Sequence, residues 1–377
     1  MADLLPRTDV EIIGRSDVDD LDAILAITTP PDEAHEMQVH SDYDALFTWD
    51  YEKGARAKLD RLYEKAKTSQ WNAQTDLPWE TDVDQEAVVI ANGMANNGID
   101  GSIDWSGTPM QHWHEKEWVA FGIESQNWVL SQFMHGEQGA LICTARIVET
   151  VPWIDAKYYA ATQVVDEARH VEVFAKYLDK LSGHYPINAH LGMLLDDIVK
   201  DSRWDMTYLG MQIMVEGLAL AAFGFMHQIT TEPLLKQLLR YVMSDEARHV
   251  AFGVLSLKEY YAELSDAEMG ERQEFAFEAA VRMRDRFLQQ EVWERMGIDP
   301  KEAIPIAQES PYRQEFQRML FTKIVPNCKK LGLLDANGGW LREKFTELRV
   351  IEFENFVDTG EEYEAFALAD EELAAAN

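Results

Sequence analysis

This 377-residue sequence predicts an all-α protein organised around one long four-helix bundle. Three observations carry that prediction. The pentapeptide Asp166-Glu167-Ala168-Arg169-His170 recurs, letter for letter, as Asp245-Glu246-Ala247-Arg248-His249. A lone Glu137 stands thirty residues before Glu167, and a lone Glu216 stands thirty before Glu246, so adding 79 to 137, 167 and 170 gives 216, 246 and 249. Finally, no stretch reads as a sheet strand, whereas several long segments carry helical periodicity.

The spacing orders the bundle. Glu and His three positions apart share one helix face, about one turn from each other. If Glu137 and Glu167 lie at equal height on antiparallel neighbours, their turn falls midway, near residue 152, and Val151-Pro152-Trp153 is there. The second pair has its midpoint at 231, where Thr230-Thr231-Glu232-Pro233 stands. Proline at a helix start is the expected punctuation. Each arm is then about 15 residues, roughly 22 Å of helix, which buries both sets deep in the bundle.

Taken in order, residues 1 to about 50 are acidic and broken by Thr29-Pro30-Pro31, which predicts loop or short helices. Tyr51 to Trp71 has helical periodicity, with Ala55, Leu59, Leu62, Tyr63 and Ala66 on a broad face. Gln70 to Trp79 reads as a turn-rich connection, and the Gly- and Asn-rich residues 92–107 read as a loop. The first bundle helix is expected from His112 to about Thr150. The second opens near Asp155, a plausible N-cap, and ends around Ser182-Gly183. The third spans about His190 to Gln228, and the fourth runs from Thr231 or Glu232, with Pro233 in its first turn, to about Leu264. Ser265-Asp266-Ala267-Glu268 is a capping box that starts a further helix ending at Gly297. Ser310-Pro311 opens another. From Phe353 the tail is acidic and is expected to be frayed or a mobile flap. The domain reading is therefore an N-terminal extension over 1–110, the bundle over 111–264, added helices over 265–352 and a tail over 353–377, in one compact domain.

Two helices giving a lone Glu and two giving Glu-x-x-His is the pattern of the ferritin-like di-iron or di-manganese carboxylate proteins, and over roughly residues 110 to 265 this sequence resembles that superfamily. The resemblance implies a ferritin-like bundle with added N- and C-terminal helices, and one long connection between His170 and Glu216. It also implies two metal ions, with Glu137 and His170 terminal on one, Glu216 and His249 terminal on the other, and Glu167 with Glu246 bridging. Carboxylates shift between terminal and bridging modes, which suits Fe(II) and Fe(III), and imidazole suits iron or manganese. Composition speaks for the same reading at Glu216. It lies within Ile213-Met214-Val215-Glu216-Gly217-Leu218-Ala219-Leu220, where an unpaired buried carboxylate costs several kcal/mol.

In the resembling families the Asp before each ligand Glu hydrogen-bonds the ligand His of the opposite pair. Carried over, Asp166 supports His249 and Asp245 supports His170; the plain alternative is a set of salt bridges with Arg169 and Arg248. His112 and His114 face different sides of a helix and have no carboxylate partner in sequence, so they are not expected to bind metal. His227 reads as a core histidine and Cys143 as a small core hydrophobe. No catalytic residue beyond the metal ligands is assigned.

Residues near the ligands in helical spacing, Phe133, Met134, Ala140, Leu141, Phe174, Ile213, Gly217, Leu220, Phe252 and Gly253, are the substrate-pocket candidates. An apolar pocket suits a small organic substrate. Subfamily markers are absent. The radical tyrosine of ribonucleotide reductase small subunits falls on Phe174, the threonine of multicomponent hydrocarbon monooxygenases on Leu220, and the additional histidine of arylamine N-oxygenases on Val242.

The expectation is a non-haem di-iron oxygenase or oxidase that uses O2 to hydroxylate, N-oxygenate or desaturate a small molecule. A ribonucleotide reductase small-subunit-like or ligand-binding Mn/Fe oxidase is the alternative. Iron storage is third, because about 110 residues precede the bundle and about 110 follow it. The chain has no Gly-x-Gly-x-x-Gly after a strand, so an external ferredoxin or reductase is expected. A homodimer follows from the resemblance alone.

A formal net charge of −33 argues against nucleic acid as a partner. It favours solubility and could steer a basic redox protein. Cys143 and Cys328 give no disulfide framework. No apolar run reaches 18 residues and no signal sequence is evident, which points to the cytoplasm and to no membrane span.

Overall fold

The computed structural model describes residues 7–31, 33, 35–41, 44–91, 103–181, 183–363 and 365. The expected loop over 92–107 lies mostly outside these residues, as do Glu364, Asp370, Glu371 and Glu372 of the acidic tail. Among the described residues there are helices and no strands.

The N-terminal segment forms two short helices, α1 (Asp9–Ile13) and α2 (Leu21–Leu25), followed by α3 (Ala57–Thr68), which buries Leu59, Leu62 and Ala66. After α4 (Gln85–Ala91) comes α5 (Glu115–Thr150), the longest element. At 36 residues it is about 54 Å long. It packs along its whole neighbour α6 (Ile154–Lys180) through the predicted turn at Val151-Pro152-Trp153. Trp153, rather than Asp155, holds the N-cap position of α6. Asp155 is buried and instead accepts the backbone N–H groups of Gly54 and Arg56, each at 2.9 Å, pinning the N-terminal extension to the bundle.

The third bundle helix is not continuous. It is split into α7 (Ala189–Lys200) and α8 (Trp204–Ile229). The Asp201 side chain accepts the N–H of Arg203 at 2.9 Å, a local bond that competes with helix propagation. Within α8, Leu209–Val215 is wound as a π-helix that hands over to α-helix at Glu216. Such π-segments concentrate at functional sites, and nothing in the apolar periodicity announces this one. By length and composition Trp204–Ile229 would cross a membrane, a candidate that the count of uninterrupted apolar residues did not reveal. Because 78% of its most apolar window is buried inside the protein, it is the core helix of the bundle.

Helix α9 (Pro233–Tyr261) opens with Glu232 as N-cap, whose carboxylate accepts from Leu234 and Leu235 N–H at 2.8 and 2.6 Å. The capping box at Ser265 is present and starts α10 (Asp266–Arg286). That helix stops eleven residues before Gly297, because Gln289 takes a left-handed φ of 56° and turns the chain into α11 (Gln290–Arg295). Of the remaining helices, α12 (Pro300–Ala307) packs on α11 and α2, α13 (Pro311–Met319) on α8, α14 (Ile324–Lys330) on α8 and α9, and α15 (Trp340–Glu347) on α10.

Candidate metal centre

The two long antiparallel pairs, α5 with α6 and α8 with α9, bring all six repeat-related residues to one place. Glu137, Glu167, His170, Glu216, Glu246 and His249 are each at most 5% exposed. Glu137 comes from α5, Glu216 from the first turn after the π-segment, and the two Glu-x-x-His pairs from α6 and α9. Two groups of donor atoms result. One is Glu137, Glu167, His170 and Glu246; the other is Glu167, Glu216 and His249, with donors in each group within 4.8 Å of one another.

The carboxylates divide into two kinds. Glu167 points Oε2 at His170 Nδ1 (3.5 Å) and Oε1 at His249 Nδ1 (3.1 Å). Glu246 does the mirror of this, with Oε1 3.0 Å from His170 Nδ1 and Oε2 3.4 Å from His249 Nδ1. Glu137 approaches only His170, at 3.2 Å, and Glu216 only His249, at 3.1 Å. Nδ1 of each imidazole therefore faces three carboxylates, although it has at most one proton to offer. Both oxygens of Glu246 and Oε2 of Glu167 are buried without a hydrogen-bond donor. Unpaired charge of this kind in a core is costly, and a cation at each cluster removes the cost. Donors about 2.1 Å from one ion and at right angles around it stand about 3 Å apart, which is the spacing found here.

Electrostatics agree with the geometry. Burial pushes the Glu137 carboxyl up to about 8, with the Glu246 charge adding to the rise. Burial raises Glu216 well above the carboxylate range, assisted by Glu167 and Glu246. Burial acts the same way on Glu167 and Glu246, but both are held below the usual range, Glu167 by His249 and His170 facing it, Glu246 by the neighbouring Glu216 carboxyl and the same two histidines. Four carboxylates this close cannot all ionise unaided. Two divalent cations would balance their four charges.

The outer nitrogens of the imidazoles are held crosswise, in the arrangement the resemblance implies. Asp245 Oδ2 lies 3.2 Å from His170 Nε2, and Asp166 Oδ2 lies 3.3 Å from His249 Nε2. The alternative role of these aspartates is present as well. Arg169 pairs with Asp166, and Arg248 donates to Asp245 and, at 3.4 Å, to Asp166. One cluster of charges thus does both jobs.

Three supporting residues were not foreseen. Trp71 donates its indole N–H to Asp245 Oδ2 at 2.7 Å and stacks on Tyr241 at 4.9 Å. It arrives from the turn-rich connection far upstream, so no local pattern could assign it. Gln163 donates to Glu167 and to Glu216, both at 2.9 Å, and Gln212 donates to Glu216 at 3.3 Å. Each stands four residues before a ligand candidate, a signal that was readable. Their mates under the 79-residue repeat are Val242 and Phe133, both apolar, so among the described residues these carboxamides donate to the cluster on the Glu216–His249 side and have no counterparts on the other.

Of the pocket candidates, Phe133 and Ala140 line a small cavity beside Glu137, Glu216 and Glu246, together with Gln132, Gly136, Val215, Ala219 and Arg286. Met134 instead lines an outer groove with Met37 and Ile142. Gly253 is a packing position, where an added Cβ would stand 2.5 Å from Gln212 Cβ, whereas at Gly217 it would meet Ile324 Cγ1 at 3.4 Å, an ordinary contact. Phe174 stacks on Phe223, and Phe252 packs between Tyr159 and Tyr208. Leu141, Ile213 and Leu220 do not line the cavity. His112 and His114 are exposed, and His227 is half-buried at the end of α8 rather than a core residue. Cys143 is fully buried.

Comparison with known proteins adds two findings. Residues 147–332 match the family of the p-aminobenzoate N-oxygenase AurF, a span that includes five of the six clustered residues and begins after Glu137. Among curated proteins, none matches. A solved structure of an R2-like ligand-binding oxidase with an aerobically reconstituted Mn/Fe cofactor superposes with a TM-score of 0.51 at 15% identity, over 74% of this chain and 94% of that one. A variant of that type of oxidase with an anaerobically reconstituted Mn/Fe cofactor gives 0.52 at 16%, over 74% and 95%. At such identity the likeness is one of fold. Taken with the doubled ligand pattern and the match to an N-oxygenase family, it places the chain in the ferritin-like di-metal carboxylate superfamily, in the branch of oxygenases and ribonucleotide-reductase small-subunit-like proteins.

Proposed function

We propose that this protein is an O2-dependent di-iron monooxygenase acting on a small organic substrate. Glu137 and His170 would be terminal ligands of one iron, Glu216 and His249 of the other, and Glu167 with Glu246 would bridge. The observation that carries this reading is the division of oxygens in Glu167 and Glu246, one turned to each histidine. When bound, the metal pair supplies two-electron reduction of O2 and oxygen transfer. The protein's own groups do the rest. Asp166 and Asp245 fix the outer nitrogens of the imidazoles, so that Nδ1 faces inward. Phe133, Phe174 and Phe223 form a buried aromatic wall that excludes water from one side of the cluster.

Among hydroxylation, desaturation and N-oxygenation, the match to the N-oxygenase family favours N-oxygenation of an amine. Val242 occupies the position of the additional histidine of arylamine N-oxygenases, which leaves six protein ligands. We further propose an external ferredoxin or reductase as electron donor, a homodimer and a cytoplasmic location.

A Mn/Fe pair is the second reading. It is favoured by the carboxamides of Gln163 and Gln212 on one side only, which make the two ion positions unequal. Anaerobic loading with Fe(II), metal counting and stopped-flow absorption after O2 addition test the proposal. Two irons per chain, with an O2-induced band whose decay is hastened by candidate amines, is the expected result. A long-lived radical signal insensitive to any substrate would shift the assignment to the oxidase. Failure to hold two metals would end both.

A further inference from the structure

Among the described residues four arginines are buried: Arg15, Arg248, Arg272 and Arg286. Three have carboxylate partners. Arg15 meets Asp285 at 2.6 Å, Arg272 meets Asp205 at 2.9 Å, and Arg248 holds Asp245 and Asp166. Arg286, 5% exposed at the end of α10, differs. Among the described residues it makes no ion pair and donates no hydrogen bond, and its Nε is buried without a partner. Its neighbour Asp285 is taken by Arg15 and Arg284. Its guanidinium lies over the ring of Phe287, 4.7 Å from the centroid. Burial lowers its pKa to about 10, which still leaves it charged at neutral pH.

The location gives this lone cation a meaning. Arg286 lines the same small cavity as Glu137, Glu216 and Glu246. Two divalent ions would consume the four glutamate charges, and Arg169 with Arg248 balance Asp166 with Asp245. The guanidinium is then one positive charge in excess, and a monoanion entering from outside would restore balance. The cavity measures about 20 Å³, room for about one water, and Gly136 in its wall has open space where a Cβ would stand.

Farther along the same elements lies a largely apolar cavity of about 110 Å³, lined by Phe121, Val129, Phe225, Met226, Phe287 and Phe316, with Arg313, which donates to Gln289 Oε1 at 3.3 Å, also in its wall. Val129 is one turn from Phe133 on α5, Met226 is two turns from Ala219 on α8, and Phe287 follows Arg286. One to two helical turns, about 5–10 Å, therefore separate the cation from the aromatic chamber. An engineered cavity of about 150 Å³ in another protein accepts benzene, so the chamber suits a single ring or short chain.

We propose that Arg286 anchors the carboxylate of an organic-acid substrate beside the metal ligands, with the apolar body of that acid in the aromatic chamber. Guanidinium recognises carboxylate through two parallel N–H···O bonds, so acid and amide of equal shape are told apart. This proposal deepens the oxygenase reading and rests on it.

The test is calorimetric titration of the full-length protein, loaded with two Mn(II) per chain, with benzoate against benzamide and octanoate against octanamide. Metal content is counted first. Each acid should bind at least ten-fold more tightly than its amide. Arg286→Gln should abolish that preference, whereas Arg286→Lys, which keeps charge but not the fork, should retain part of it. Equal binding of acid and amide by the unaltered protein overturns the proposal without need of a variant, as does an unchanged preference in Arg286→Gln. Formate or nitrate binding as tightly as benzoate also overturns it, by making Arg286 a site for small anions. Fewer than two metals per chain counts against the oxygenase reading. Arg286-dependent binding of benzoate by such protein would leave the acid site standing on its own.

Discussion

The carboxylate of Asp245 stands 3.2 Å from Nε2 of His170, across the interface between the two copies of the repeat. Copy two therefore supports the imidazole of copy one, and Asp166 returns the support to His249. Replacing Asp245 with Asn keeps the shape but removes the charge that orients His170. We expect Asp245→Asn to weaken metal binding about 10- to 100-fold, most at the Glu137–His170 side, as measured by chelator competition. Trp71→Phe removes only one of the bonds to Asp245 and should cost less. Equal losses would mean that the tryptophan, not the charge, holds the ring.

The division of carboxylate oxygens predicts two kinds of metal loss. Glu167→Ala removes a donor from both clusters, so metal content should fall from two ions per chain to well below one. Glu137→Ala removes a donor from one cluster and should leave about one ion bound. Elemental analysis after gel filtration separates these outcomes. If both variants lose the same amount, the bridging and terminal roles are wrongly assigned.

How much of this was legible in the sequence follows from how each feature is built. The 79-residue repeat and the proline turns were visible because ligands and turns recur at fixed helical intervals. Gln163 and Gln212 were within reach by the same logic, each one turn from a ligand candidate. The π-segment Leu209–Val215 was not, because an extra residue in an apolar helix leaves the hydrophobic pattern intact. Trp71 and Arg286 were hidden for a different reason. They reach the centre from a loop and from a helix outside the bundle, and only tertiary packing brings them there. The pocket was the weakest expectation, since helical spacing names a face but cannot say whether a neighbour fills it. At Gly253 a packed side chain occupies the space that small size had suggested was free.

Acid–base behaviour should distinguish the metal-free from the loaded protein. Glu137 is raised to about 8, and Glu216 is raised in the same direction. In the unfolded chain both titrate near the ordinary carboxylate value. Between those limits the metal-free folded state binds more protons than the unfolded one, so its stability falls as pH rises through the window. Glu167 and Glu246 are shifted the opposite way, and their contribution is lost only at more acidic pH. Metal ions displace the protons and remove the loss. The gap in Tm between loaded and metal-free protein should therefore widen from pH about 5 to about 8, with proton release on metal uptake. A gap that narrows over this range would contradict the paired-carboxylate picture.

Gly253 ties the backbone of α9 to the π-segment that presents Glu216. A Cβ there would stand 2.5 Å from Gln212 Cβ and 3.1 Å from Ile213 Cδ1. The nearer atom belongs to the root of its side chain, so the π-segment itself would have to move. We expect Gly253→Ala to destabilise the fold by about 1–3 kcal/mol, as overpacking in a tight core does. The same shift carries Gln212 away from Glu216, so the ion on the Glu216–His249 side should bind more weakly than the other. Gly224→Ala is the control. It lies on α8, the helix that carries the π-segment, where a Cβ would meet only Met243 Cε at 3.8 Å, an ordinary contact. Relief of glycine's backbone entropy should leave that variant neutral or stabilised by up to about 1 kcal/mol. Thermal unfolding with and without metal reads both effects. If Gly253→Ala lowers Tm but leaves the two metal affinities equal to those of the unaltered protein, the π-segment carries stability alone and does not position Glu216.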